Sequence, residues 1–490
     1  MRLRDALARL DPRRLGDLFK GQEEIDLTSG SIGWPLFYLS LPIVVTNLLQ
    51  TAYNLADTFW LGQFSKDALA AITFAFPMVF LLISLGMGLT VAGSVLVAQH
   101  IGADEEEKAT YAASQTMTFA VVLSLVLGSV GFFFVEDALR LLGVSQDVLP
   151  LATGYMEVVS LGLFMMFGFF VFISLMRGYG DTITPMLVML GTVVLNIALD
   201  PFLIFGWWVF PRMGVQGAAI ATVFSRGLAM LVGLYIMFDG SRGVKIRLRD
   251  MWPDFGYLRR LFSIGAPASI EGTGRALSIN LLLVVVATFP DTVAAAFGVG
   301  IRVFSVIFLP AIAVGRGVET LAGQNIGAGN EDRAARTSDF AAKVMFVVLS
   351  GAAVVVWLTA PAIMRVFTDN PDVIPIGADF LRIVAPTFGF TGVMRAYSGG
   401  FRGAGKTIIA AAIAIFTLGI VRLPVAWFAV IEFDFGTTGL FASFIVSNVL
   451  GAVIAYVWYR RGTWRGADLT DDPTATVSGS GVEDEAAVDD

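Results

Sequence analysis

The sequence predicts an all-α integral membrane protein: twelve transmembrane helices in two six-helix bundles, related by a pseudo-two-fold axis along the membrane normal. Three observations carry this prediction. Of 490 residues, 56% are hydrophobic and only 15% charged, against about 45–50% and about 25% in soluble domains. Apolar runs of spanning length fall at 34–62, 68–99, 109–135, 150–176, 183–210, 214–238, 259–289, 293–323, 340–364, 376–400, 407–431 and 438–459, each compatible with a helix of roughly 20 residues or more. The third observation is an internal repeat, in which landmarks recur at a constant offset of 225 residues.

Pro42 and Pro267, Gln99 and Gln324, and Arg177 and Arg402 all differ by that offset. Their surroundings agree as well: Gln99-His100-Ile101-Gly102-Ala103 matches Gln324-Asn325-Ile326-Gly327-Ala328, and Arg177-Gly178-Tyr179-Gly180 matches Arg402-Gly403-Ala404-Gly405. Six spans per half is an even number, so the halves share one orientation. The repeat divides the chain into an N-terminal arm (1–33), an N-terminal bundle (34–238), a basic linker (239–258), a C-terminal bundle (259–460) and an acidic tail (461–490).

Basic residues orient the chain. The arm, the linker region with Arg242, Lys245, Arg247, Arg249, Arg259 and Arg260, the stretch Arg333 to Lys343, and Arg460, Arg461 and Arg465 fall on one side. The opposite loops carry Lys66, Arg140, Arg212 and Arg365 singly. The positive-inside rule makes both termini cytoplasmic in a multi-pass protein of the cell membrane. Arg2, Arg4, Arg9, Arg13 and Arg14 with Leu3, Leu7, Leu10 and Leu15 predict a short amphipathic surface helix and no cleavable signal peptide. The tail carries most of the net charge of −7 and is expected to be disordered.

Few side chains are left to do chemistry. There is no cysteine, and His100 is the sole histidine, so thiolate, disulfide and His-cluster metal chemistry are excluded. Within the run at 183–210, Asn196 lies one helical turn before Asp200, so their side chains share a face. The first run holds Tyr53 one turn before Asp57. An isolated carboxylate at such a depth costs several kcal/mol and marks a candidate functional site. The repeat isolates these residues: adding 225 to Tyr53, Asp57, Asn196 and Asp200 gives Ser278, Leu282, Val421 and Val425, so the carboxylates belong to one half only. The second half carries Glu271 with Arg275 and Arg316 with Glu319, spaced to pair along a helix. Glu271 and Arg275 form a candidate second-half charge site.

Several segments together resemble the multidrug and toxic compound extrusion (MATE) family, most closely its DinF-like branch. They are Pro42 followed by Leu49-Gln50-Thr51-Ala52-Tyr53-Asn54-Leu55-Ala56-Asp57-Thr58, then Val97 to Ala103, Arg177-Gly178-Tyr179-Gly180-Asp181-Thr182, Asn196-Ile197-Ala198-Leu199-Asp200-Pro201 and Gly214 to Thr222. The resemblance spans nearly all of residues 34–460 in order. It implies a V-shaped pair of bundles that exports amphipathic, often cationic compounds against entry of H+ or Na+. On that reading the expected partners are small amphipathic organic substrates and the lipid bilayer, with no nucleic acid, no ATP and no cofactor, and the chain acts as a monomer. Relatives of the NorM-like branch place a carboxylate in their seventh helix, which makes Glu271 a candidate second cation site.

Asp57 and Asp200 are expected at similar depths, open to a wet outer cavity. Either a shared proton or a Na+ ion held by oxygens of Asp57, Asn196, Asp200 and Thr222 would neutralise them. Pro42 removes a backbone hydrogen bond inside the first helix and is its natural bend point. The expectation is therefore a cation-coupled antiporter working by alternating access, not an enzyme. A lipid-linked substrate flippase of the same superfamily is the alternative within transport, and a membrane-embedded enzyme the alternative from another class.

Overall fold

The computed structural model describes residues 26–467, 469 and 470. The amphipathic helix expected at Arg2–Leu15 and the acidic tail from Asp471 onward lie outside the described residues. Among the described residues, twelve spans are built from sixteen α-helices and the short 3-10 and π-helical turns between them. The N-terminal half contains α1 (Gly33–Phe64), α2 (Lys66–Gly102), α3 (Glu106–Leu141), α4 (Leu149–Leu161), α5 (Leu163–Tyr179), α6 (Ile183–Phe205) and α7 (Val215–Asp239). The C-terminal half contains α8 (Phe255–Val286), α9 (Asp291–Ile307), α10 (Leu309–Gly327), α11 (Glu331–Phe367), α12 (Val373–Val384), α13 (Phe388–Gly403), α14 (Thr407–Ile415), α15 (Leu423–Trp427) and α16 (Gly436–Arg460). Eleven segments are long and apolar enough to cross a membrane, and the bent pair α4 and α5 supplies the twelfth.

Four runs that hydropathy alone presents as continuous are interrupted. The fourth span bends by 55° between α4 and α5 at Gly162, where a Cβ would lie 2.3 Å from Val223 of α7. In the C-terminal half the interruptions sit beside prolines, each of which lacks the amide donor that a continuous helix needs. Pro310 opens α10, Pro386 lies in the 3-10 turn between α12 and α13, and Pro424 separates two π-helical segments, Phe416–Arg422 and Phe428–Glu432. The run at 183–210 ends early, at Phe205. Gly206 takes a left-handed conformation there (φ 74°), and the exposed Trp207, Trp208, Val209 and Phe210 that follow suit the membrane–water interface rather than the span.

The halves meet through α1 and α2 on one side and α8 and α10 on the other, and the contact obeys the repeat. Gln99 Nε2 donates to the carbonyl of Gly403 at 2.9 Å, and its repeat mate Gln324 donates to the carbonyl of Gly178 at 3.1 Å. A Cβ on Gly102 would sit 1.9 Å from the Gln324 carbonyl oxygen, and one on Gly327 1.9 Å from that of Gln99. Only glycine allows these backbones to approach so closely. The seam continues through Gly88, whose amide donates to Ser269 Oγ at 3.0 Å, to Ser84 and Thr273 at 3.2 Å.

Both terminal segments cross this closed end. Asn325 of α10 donates to the Leu27 carbonyl at 3.0 Å, and the Leu469 amide donates to Gln99 Oε1 at 2.8 Å. The linker is strapped to α3. Gln115 donates to the carbonyls of Asp250 and Trp252, both at 2.7 Å, and accepts from the Asp254 amide at 3.1 Å. Asp254 then caps α8 by accepting from the amides of Gly256 (2.8 Å) and Tyr257 (3.1 Å), and it accepts from the Tyr111 hydroxyl at 2.8 Å.

The Tyr111 hydrogen bond, with the cap amides, holds the Asp254 carboxyl below the usual carboxylate range. A carboxyl so depressed stabilises the fold above about pH 4, and that contribution is lost as pH falls through its folded value. Asp254→Ala should therefore cost about 1 kcal/mol at pH 7. Thermal midpoints of the two proteins, measured from pH 7 downward, should converge below about pH 4.

Candidate functional site

Three helices, each contributing residues one turn apart, bring the expected residues together. From α1 come Tyr53 and Asp57, from α6 Asn196 and Asp200, and from α7 Thr222 followed by Arg226. The Tyr53 hydroxyl and Thr222 Oγ1 are 2.5 Å apart, and Tyr53 interacts electrostatically with Asp57. Asn196 Nδ2 donates to Asp200 Oδ1 at 3.5 Å. The Asp57 and Asp200 carboxyls are close enough to share a hydrogen bond when one of them carries a proton. Pro201 lacks an amide proton, which leaves the Ile197 carbonyl without its helical donor beside Asp200.

The open wet approach expected for these groups is not present in this conformation. Asp57 is 2% exposed, and Asp200 and Asn196 are fully buried. No donor within the described residues reaches Asp57 Oδ1, Asp200 Oδ2 or Asn196 Oδ1. Three unsatisfied buried oxygens next to one another are costly unless a cation or proton joins them. Pro42 is not part of the cluster. It lies 15 residues earlier on α1, roughly 22 Å along the axis, and the helix runs without interruption through it.

Sequence reasoning missed Arg226, although it stands one turn after Thr222. Its side chain is almost completely buried. It donates to Gln50 Oε1 at 2.7 Å and stacks over the rings of Tyr53 (4.9 Å) and Phe169 (5.2 Å). The carboxyl pair thus has a basic neighbour, which interacts electrostatically with Asp57. Offset by 225, Arg226 maps to Gly451, so it breaks the repeat as the carboxylates do.

A second charged cluster lies where the halves join. Glu271 pairs with Arg275 at 3.2 Å and with Arg402 at 3.2 Å. Glu319 pairs with Arg316 at 2.9 Å and with the same Arg402 at 3.0 Å. Arg402 of α13 thereby ties α8 to α10.

Twelve spans in two repeated bundles with a buried carboxyl pair in one of them describe a membrane transporter. The chain belongs to the MatE family, whose model matches residues 42–202 and again 267–428, the two copies of the repeat. It is 29% identical over 446 residues to the probable multidrug resistance protein YpnP of Bacillus subtilis (strain 168), a match covering 91% of this chain and 98% of YpnP. It is 27% identical to a FAD transporter of Shewanella oneidensis, covering 89% of this chain and 96% of that one. A solved multidrug resistance MATE family transporter of the MOP superfamily, in an outward-facing conformation, superposes with a TM-score of 0.82 at 26% identity, covering 90% of this chain and 98% of that one. The protein is a multi-pass membrane transporter of this family, not an enzyme.

Arg226→Met should leave Gln50 Oε1 without its donor and the carboxyl pair without a compensating charge, at a cost of about 2 kcal/mol. Adding Asp57→Asn should restore part of that loss. Thermal midpoints of the two single variants and the double variant would show this as non-additivity.

Proposed function

We propose that the protein is an antiporter of the cell membrane that expels amphipathic organic compounds by alternating access, coupled to entry of H+ or Na+ at Asp57 and Asp200. The observation that supports this most directly is the charge balance of the sealed cluster. With both carboxyls ionised, Asp57 and Asp200 face one guanidinium, Arg226, which leaves a single uncompensated negative charge. One monovalent cation neutralises it, so one H+ or one Na+ per cycle is the natural stoichiometry. A proton would bridge the two carboxyls. A Na+ ion would use the carboxyl oxygens with Asn196 Oδ1 and the hydroxyl of Thr222, hard oxygen donors of the kind such a cation takes.

The lipid-facing surroundings make the two charge states unequal. An unpaired buried charge favours solvent access, and a neutral cluster favours closure. Cation entry therefore favours the sealed arrangement seen here, and α1, hinged at Pro42, is the element that moves to open it. On the positive-inside rule the joined ends of the halves, beside the basic linker, lie at the cytoplasmic side together with both termini; the chain works as a monomer. The cationic cargo implied by the family resemblance draws support only from the two N-half carboxyls, which Tyr53, Thr222 and Arg226 enclose. Glu271, the candidate second cation site, is engaged by Arg275 and Arg402, which leaves it little capacity for a cation.

The test is export of ethidium from proteoliposomes, driven separately by a Na+ gradient and by a pH gradient. Asp200→Asn should reduce export at least tenfold with the amount of folded protein unchanged. Normal export by that variant, or export indifferent to both gradients, would sink the coupling scheme.

A further inference from the structure

The cluster at the junction of the halves is far from neutral. Besides the ion-paired Arg275, Arg316 and Arg402, it holds Arg177, from the last turn of α5, and Arg395, from α13. Arg177 lies within electrostatic reach of Arg316, Glu319 and Arg402, and Arg395 of Glu271, Arg275, Arg316 and Arg402. Five guanidiniums face two carboxylates, Glu271 and Glu319. The surplus of three positive charges sits within a bundle that spans a bilayer, where each uncompensated charge is expensive.

The surplus has a structural origin in the repeat. Arg402 and Arg177 are repeat mates, but Arg402 has Glu319 beside it, and the position in the first half that corresponds to Glu319 is Ser94. Arg177 consequently makes only a hydrogen bond to Ser174 Oγ, at 2.9 Å, and its buried Nε has no acceptor among the described residues. Arg395 is a second cation with an unsatisfied donor among the described residues. Its Nε is buried and unsatisfied, and among the described residues it makes no side-chain hydrogen bond or ion pair. Its repeat mate is Phe170, so this charge too was placed in one half alone. Arg275 and Arg316 keep 28% and 21% of their side-chain surface accessible, so the cluster is reachable.

The Arg395 Cβ would lie 3.8 Å from a Cβ on Gly315, the neighbour of Arg316, and from this geometry we propose that the junction is an oxyanion-binding site, which takes the carboxylate or phosphate of an amphipathic organic anion at Arg395 with the accessible Arg275 and Arg316 beside it. Guanidinium groups with free N–H donors match the planar or tetrahedral oxygens of such groups. A monoanion or dianion removes part of the surplus and supplies an acceptor to the Arg395 donor that lacks one. That the anion is cargo rests on the export reading above, whereas its binding does not. Phosphate chemistry could also come from an anionic lipid headgroup reaching the same groups.

The test uses the full-length protein in phosphatidylcholine nanodiscs, with binding of 4-methylumbelliferyl phosphate compared with that of neutral 7-methoxy-4-methylcoumarin by equilibrium dialysis. The ester should bind at least tenfold more tightly than the neutral coumarin, and Arg395→Gln should weaken it at least tenfold. Because Arg395 makes no side-chain hydrogen bond or ion pair among the described residues, the thermal midpoint of that variant should hold or rise; Arg140→Gln, at the far end of α3, should change neither. Replacing half of the lipid with phosphatidylglycerol separates the sources: weaker ester binding identifies a lipid headgroup as an occupant of the site, and unchanged binding identifies a soluble organic anion. Equal affinity for ester and coumarin, unchanged ester binding by Arg395→Gln, or loss of binding together with a lowered midpoint would overturn the proposal. Dialysis needs neither a gradient nor export, so its failure is distinct from failure of the antiport assay.

Discussion

The cost of an unbalanced charge inside a bilayer-spanning bundle is the constraint on which the rest of this structure depends. Twelve apolar spans leave little place for ionised groups, and two clusters hold most of the buried ones, with Arg422 bonded apart from them to Ser447 and Asn448. At one, two carboxyls face Arg226 and are sealed by Tyr53 and Thr222. At the other, Arg402 holds two glutamates at once while two further arginines lack acceptors for their Nε groups. Hydrophobic packing does not explain these placements, because lipid and protein interior are similarly apolar. Incomplete charge balance means that each point has a state favoured by a ligand, and a transporter needs such states.

Duplication and its breaking share the work between architecture and chemistry. The elements that keep the 225-residue offset are those that hold the halves together: the glutamine-to-glycine bonds of the seam and the glycines that let the backbones meet. The elements that break it are charged. Asp57, Asp200 and Arg226 have Leu282, Val425 and Gly451 as mates, and Glu319 and Arg395 have Ser94 and Phe170. One half thus gained a net negative cluster and the junction a net positive one, on a scaffold that remained symmetric.

This division also explains what was legible beforehand. Span number, order and bundle assignment follow from long apolar windows and the repeat, both of which are strong in the sequence. The interruptions at Pro310, Pro386 and Pro424 were encoded as well, but hydropathy is blind to a missing amide proton, and the long apolar runs concealed them. The convergence of Tyr53, Asp57, Asn196, Asp200 and Thr222 was readable because each helix contributes side chains one turn apart. Arg226 was not. Its spacing from Thr222 puts it on the same face of α7, but its contacts with Gln50, Tyr53 and Phe169 reach across to two other helices and are not written in that spacing. The surplus at the junction needed both the distances and the comparison of Ser94 with Glu319.

The two charge clusters are also mechanically joined to the seam. Arg177 and Arg402 immediately precede Gly178 and Gly403, whose carbonyls accept the cross-half bonds from Gln324 and Gln99. What the arginines hold is therefore one residue from the acceptors of the seam, in the last turns of α5 and α13. The carboxyl pair acts from the other direction: α1 carries Tyr53 and Asp57 toward one end and, toward the other, Ser40 against Gly317 of α10. On the proposed reading, an anion at the junction neutralises the groups that strain the seam, and a cation at the carboxyls neutralises the group that draws α1 toward water. Each ligand therefore acts on the same sealed contact from a different helix. That arrangement allows binding of one to change the affinity for the other without the two sharing a site.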